Sequence, residues 1–357
     1  KNGGIAFSSN YELYADISSR VMQILEQLSP KIEIYSIDEA FLDLTGIEKC
    51  TELESFGRQC QETILQWVGM PVSVGIGPTK TLAKVAQYGA KKYHKTNGVV
   101  DLSDKKRQIK LMSLMPVGEV WGVGKRINKK LNAMGIFTAL ELANMDIKFV
   151  KNNFSSVLGR TLMELKGYSC IGLDENPAIK KQIIVSRTFG HRVTDLDSIN
   201  EAVSNYAVRA AEKLRKENQY CKMISVFIRT NYFRKQDKQY NGMLSYKLGS
   251  PTNDTRDIVS ASKSLAKNIF RNNYNFIKAG VLLSDFYDEG VKQSDFFIPH
   301  KEKIGAKKLM QTIDRINLSG IGRVSFAAQG MKQSWSMKRE LKSPRYSTNW
   351  QELLTVK

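Results

Sequence analysis

The chain has 357 residues, 42% hydrophobic and 25% charged, so it is globular and long enough for two or three domains with their own cores. No apolar run reaches the roughly 18 residues that a membrane-spanning helix needs, and no basic-apolar-small leader opens the chain; a cytoplasmic protein without a membrane partner is expected. The net charge of +19 is uneven: residues 1–101 net −2, whereas 102–181 and 182–288 each net +7, 289–300 net −1 and 301–357 net +8.

In chain order, residues 11–28 read as a helix, with Ser9 and Glu12 at capping-box spacing and Leu13, Ile17, Val21, Ile24 and Leu28 on one face. Pro30 stops it. Strands at 31–37 and 40–45 follow, bent at Asp38 and Glu39. Thr51 and Glu54 are placed to cap a second helix, to about 67. "PVSVGIG" (71–77) reads as a strand, a helix starts after Pro78, and "GVVDL" (98–102) is a short edge strand. The order α-β-β-α-β is that of a split βαββαβ sheet without its first strand, and the chain begins at Lys1, so a preceding piece is expected. Residues 103–167 read as small helices, and the polar stretch 168–181 as a linker. Residues 182–288 read as a complete βαββαβ domain, with Ser198 and Glu201 capping its first helix. Residues 289–357 are a basic tail with some helix around 303–317. Cys50, Cys60, Cys170 and Cys221 are scattered without a CxxC pair, so reduced core thiols are expected.

One acidic segment, holding the carboxylate pair, precedes three basic ones, which suits a polyanion held by the basic parts and processed at the acidic part; the plainer reading is a solvated basic surface. Asp38 and Glu39 lie in "IEIYSIDEAFLDLTG", whose apolar flanks make a pair of acids costly. Either they form an exposed hairpin tip, or they hold Mg²⁺, which takes carboxylates together with substrate phosphates. Two carboxylates are few for two ions, and a third is expected on the strand before Lys1. Lys80, Lys84 and Lys91, at spacings of four and seven, share a helical face that either aims at phosphates or is solvated. Gly122-Val123-Gly124, followed by Lys125, Arg126 and Lys129, suits a helix-hairpin-helix turn that points backbone N–H groups at a phosphate. "QSDFF" (293–297) is either packed on its own domain or a linear peptide, with Gln293 at the rim of a partner's pocket.

Taken together, "SSNYELYADISSRVM", "IEIYSIDEAFLDLTG", "GIGPTKTLAKVAQYGAKK", "VWGVGKRINKKLNAMGI", "YAVRAAEKLRKENQYC" and "SWSMKRELKSPRYS" resemble the Y-family (translesion) DNA polymerases, in their UmuC branch. The resemblance runs from about residue 5 to 357. It implies an α+β right-hand polymerase: a ferredoxin-like palm (1–102) lacking its first strand and the fingers, a small helical thumb with a helix-hairpin-helix (103–167), a linker (168–181), a little finger (182–288), and a tail with a clamp motif (289–357). It implies Asp38 and Glu39 as catalytic metal ligands, Lys91 at the incoming dNTP, and Gly122, Gly124, Lys125, Arg126 and Lys129 on DNA. Gln293, Asp295, Phe296 and Phe297 would dock on the sliding clamp. Two Mg²⁺ ions, primer–template DNA, a processed UmuD dimer and RecA follow as the family's cofactors and partners, and error-prone synthesis past damaged bases in the SOS response as its function. The family's first metal-binding Asp, its steric-gate aromatic and nearly all of its fingers have no counterpart in these residues. A non-catalytic protein that binds damaged DNA and the clamp is the alternative. A nucleotide cyclase, which can share the split sheet, has no duplex for the basic segments to hold.

Overall fold

The computed structural model describes residues 3–174, 179–289, 305–319, 322–331 and 333–355. The chain forms two compact units, one from residues 1–177 and 342–357, the other from 178–341.

The first unit opens with α1 (Tyr11–Leu28), capped by Asn10, whose side chain accepts the Leu13 N–H. Ser9 is not the cap. Asn10 takes that position because its amide also donates to the Ser343 and Pro344 carbonyls, which fixes it where the helix begins. Strands β1 (Ile32–Ile34) and β2 (Ala40–Leu42) pair antiparallel, Glu33 opposite Phe41. They are shorter than expected because the Tyr35 and Ser36 amides both turn onto the Glu39 carbonyl and close the hairpin early. Helix α2 (Leu53–Val68) starts after Glu52 without a side-chain cap, so Thr51 does not serve.

Strand β3 (Val74–Ile76), α3 (Lys80–Lys92) and β4 (Val99–Asp101) form a parallel βαβ unit. Gly75 makes its packing possible: a Cβ there would lie 2.2 Å from the Gln87 amide nitrogen of α3, so only glycine admits the helix this close to the strand. The β1–β2 and β3–β4 pairs are separate two-stranded pieces. Among the described residues no strand joins them.

Helices α4 (Lys105–Leu114), α5 (Lys125–Ala133), α6 (Ala139–Asn144), α7 (Ile147–Asn153) and α8 (Ser156–Leu165) follow. Asp104, Thr138, Asp146 and Ser155 cap four of them through their side chains. Their buried Met112, Leu131, Leu142, Leu158 and Leu162 join Leu82 and Val85 of α3 in one core.

The second unit is a four-stranded antiparallel sheet. Its strands are β5 (Gln182–Val193), β6 (Gln219–Thr230), β7 (Asn241–Thr252) and β8 (Phe276–Asp288), in the order β5-β8-β6-β7. Alternate residues such as Val185, Val226 and Val281 pack under α9 (Leu196–Lys216) and α10 (Thr255–Ile269). Asp195, not Ser198, caps α9. The tail is built into this unit. In α11 (Ala306–Leu318), Met310 is buried and Asp314 takes a two-pronged ion pair from Arg215 of α9. Trp335, 4% exposed, packs edge-on against Phe189 and Tyr206 and lies with its Nε1 3.3 Å from Glu201 Oε2. Asn205 of α9 binds Gln329 and Gln333 beside it. Residues 342–355 instead lie with the first unit, where Lys342 and Arg345 reach Glu12.

Cys60 and Cys221 are buried, and burial pushes their thiols up to about 11 and about 12. Cys50 and Cys170 are exposed, against the expectation of core thiols: each lies in a connection outside the helices and strands. Among the described residues no helix is long and apolar enough to cross a membrane.

Because Trp335 closes the core over α9, Trp335→Ala should cost about 3–5 kcal/mol of the second unit's stability. Urea unfolding followed by far-UV circular dichroism measures it, and a loss under ~1 kcal/mol would show that the strap around Trp335 only lies on the surface.

Candidate functional site

The adjacent acids occupy the tip between β1 and β2 and meet different surroundings. Asp38 is exposed, and its Oδ1 accepts the Ser36 hydroxyl at 2.5 Å. Glu39 turns inward, with Oε1 2.6 Å from Lys84 Nζ, while that ammonium also reaches Gln87 Oε1 at 2.9 Å. One turn earlier on α3, Lys80 pairs with Glu33 in nearly buried surroundings and stands 5.0 Å from the centre of the Phe41 ring. Glu33 Oε2 also accepts the Asp174 amide at 2.7 Å. Lys80 and Lys84 are thus engaged by carboxylates, not free for phosphates. Sequence spacing showed that they share a face but not what faces it.

Lys91 lies at the far end of α3, about 10 Å along the axis from Lys84. It is exposed beside a hollow of about 460 Å³ lined also by Gln61, Ser73, His94 and Asn97. Lys91 is not brought against Asp38 or Glu39.

Gly122 has φ +92°, a left-handed conformation that glycine alone adopts freely. It reverses the chain so that Val123 is buried and Gly124 begins α5 with no side-chain cap, leaving the first-turn N–H groups open. Lys125, Arg126 and Lys129 are exposed around that end. Lys130 turns away, 2.5 Å from the Asn153 carbonyl and 4.5 Å from the Phe154 ring centre. The helix therefore presents three cations and bare amides on one side, a donor set for an anion.

Two further features escaped the sequence reading. Trp121, just before the glycine turn, packs on Tyr35 and Phe41 of the hairpin at ring separations of 5.7 and 5.8 Å and donates to the Tyr35 hydroxyl at 3.2 Å. Glu164 of α8 is fully buried and accepts the amides of Thr81, Cys170 and Ile171 at 3.0, 2.7 and 3.0 Å. A lone acid within "TLMELKG" was the available signal for Glu164. No local pattern marks the aromatic contact, since its members are about 80 residues apart. Gln293, Asp295, Phe296 and Phe297 lie outside the described residues. Among those described, no group of three or more His, Cys, Asp or Glu side chains could hold a metal.

The impB/mucB/samB family model matches residues 1–88, its C-terminal domain model matches 180–296, and a domain of unknown function matches 307–356. Protein UmuC of Salmonella typhimurium is 48% identical over 100% of this chain and 85% of its own length. Protein MucB of Escherichia coli is 45% identical over 97% of this chain and 82% of its own. DNA polymerase IV of Clostridium acetobutylicum is 32% identical over 71% of this chain and 62% of its own. Among solved structures, a Y-family DNA polymerase chimera of Dbh and Dpo4 matches 78% of each chain with a TM-score of 0.58 at 20% identity, a likeness of fold.

Glu164 satisfies three buried donors at once, so Glu164→Ala should destabilise the first unit by at least about 3 kcal/mol, whereas exposed Glu62→Ala should change it by less than ~0.5 kcal/mol. Paired urea titrations compare the two; equal midpoints would show that Glu164 is not the brace.

Proposed function

The chain belongs to the impB/mucB/samB family, the UmuC group of the error-prone translesion DNA polymerases of the Y family, and from that premise we propose that its carboxylate pair serves template-directed nucleotidyl transfer past damaged bases. The family matches favour this over a non-catalytic DNA binder or a cyclase. The observation that carries the assignment of site residues is the hairpin tip. Asp38 presents an open carboxylate there, and Glu39 beside it is held only by a lysine that a cation can replace.

The donors fit a hard dication such as Mg²⁺, which keeps several waters and takes one or two carboxylates with phosphate oxygens. Two acids suffice for one ion. The second ion of the family's arrangement needs a carboxylate beyond this pair. When bound, Mg²⁺ supplies charge for the attacking hydroxyl and the departing pyrophosphate. The chain's own residues do the rest. Asp38 and Glu39 position the ion, and Lys91, on the same helix as Lys84, meets the triphosphate, the role that its match to the family's motif implies. Gly122 and Gly124, with Lys125, Arg126 and Lys129, hold a backbone phosphate of primer–template DNA. Residues 182–288 add further duplex contacts. The sequence of 293–297 supports docking on a sliding clamp. A cytoplasmic setting, a processed UmuD dimer and RecA belong to the same reading by kinship with Protein UmuC.

Asp38→Ala, placed in a chain extended to the length of the relatives, should abolish Mg²⁺-dependent primer extension and leave DNA affinity within about twofold, because residues 102–288, net +14, supply the binding. That affinity should fall with salt by about 0.9 log units per log unit for each phosphate neutralised. Extension at the wild-type rate by Asp38→Ala would overturn the assignment, as would binding insensitive to salt.

Phe296→Ala with Phe297→Ala should weaken clamp binding by at least about 2 kcal/mol, roughly thirtyfold, without altering clamp-free binding to primer–template. Surface plasmon resonance on immobilised clamp reads the first quantity, and an unchanged affinity would return this stretch to packing on its own domain.

A further inference from the structure

The β6–β7 hairpin of the second unit ends in "NYFRKQDKQY", residues 231–240, and holds its two apolar rings out in water. Tyr232 is 83% exposed and Phe233 91%. They touch mainly each other, edge to face, with centroids 6.0 Å apart. Exposed apolar rings at a loop tip call for a ligand when the loop is built to keep them there, and this one is. Gln239 Nε2 lies within 3.2 Å of the carbonyls of Asn231, Arg234 and Asp237, which cinches the loop from inside. Asn231 Oδ1 accepts the Phe233 amide at 3.0 Å. Tyr240 anchors the base of the loop by donating to the Ile269 carbonyl at 2.6 Å. Arg192 approaches Asp237 at 3.5 Å.

The charge around the rings has one sign on the outside. Arg234, Lys235 and Lys238 are exposed, while Asp237, the loop's acid, is turned toward Arg192. On the sheet face away from the helices, Arg229 and Lys278 stand opposite each other in the last rows before the tip, and the Arg229 guanidinium lies 4.8 Å from the Phe227 ring centre. A row of cations thus runs into a pair of bare rings. That is the combination a single-stranded nucleic acid needs: phosphates meet the cations and unpaired bases stack on the rings, whatever their sequence. A duplex offers no free base face, and an apolar protein partner gives no role to five cations.

We propose that Tyr232 and Phe233 form a stacking platform for unpaired bases of a nucleic-acid strand, with Arg234, Lys235 and Lys238 on its phosphates. The proposal extends the DNA-polymerase reading and names the single-stranded part of the template as the ligand. It does not depend on the carboxylate pair.

The test uses the full chain without Mg²⁺ or nucleotide, so that a failed active-site assignment cannot imitate a failed platform. Fluorescence anisotropy compares a primer–template bearing a single-stranded 5′ overhang with a blunt duplex of the same paired length. Tyr232→Ala with Phe233→Ala should weaken overhang binding tenfold or more, with blunt-duplex binding within twofold and thermal unfolding unchanged; replacing both residues by Trp should keep overhang binding. In the wild type, 2-aminopurine in the overhang should show a change in emission that the double-Ala variant abolishes. Unchanged overhang affinity in the double-Ala variant, or equal losses on both DNAs, would overturn the platform.

Discussion

Two ion pairs from one helix hold the hairpin that carries the acids. Lys80 with Glu33 and Lys84 with Glu39 join α3 to β1–β2, and among the described residues no strand links β2 to β3. In a continuous sheet a ladder of backbone hydrogen bonds would make that joint. Here it rests on side chains, supported by Trp121 against Tyr35 and by the Asp174 amide on Glu33. The Lys80–Glu33 pair is nearly out of solvent, where breaking one partner leaves an uncompensated charge and costs about 3–5 kcal/mol. The two pairs differ in consequence: Glu33 serves the joint, whereas Glu39 at the tip is open to exchange.

Charge alone is a poor guide to which cations are available. Lys80, Lys84 and Lys130 each have a partner within their own unit, and Arg215 is consumed by Asp314, Asn253 and Thr255. Lys125, Arg126 and Lys129 on α5, like Arg234, Lys235 and Lys238 at the β6–β7 tip, are exposed. Surface pairs contribute little to stability, but they decide which positive charges a polyanion can meet.

The C-terminal segment belongs to both units in turn. Residues 305–341 complete the second unit, where Trp335 packs on Tyr206 of α9 and Phe189 of β5 and Gln329 binds Asn205. Gly190 and Gly330 show how close that packing is: a Cβ on the first would lie 2.3 Å from the Ser336 carbonyl oxygen, and on the second 2.5 Å from the Glu201 carboxylate. Residues 342–355 return to α1 through Asn10 and Glu12. The described parts of the basic tail, 305–319, 322–331 and 333–355, are thus structural on both counts.

The order of helices and strands was legible from apolar periodicity and from glycine and proline, because those signals are local. α1 and α3 lie within a few residues of their expected places, and 182–288 has the βαββαβ order expected of it. So was the glycine turn at 122–124, since a positive φ next to a helix start leaves a mark in the sequence itself. Caps were legible as a type but not as a residue: Asn10 and Asp195 displaced Ser9 and Ser198, and α2 has no side-chain cap where Thr51 was expected, because the first of these is chosen by contacts from residues 343–344 and all depend on where the chain enters the helix. The adjacent acids, the lysine row and the tail could be seen in the sequence, but not that Glu39 and Lys84 face each other, that Lys91 stands apart, or that Trp335 is core. Those facts join residues 45 to more than 100 positions apart, and only the folded chain decides which of them meet.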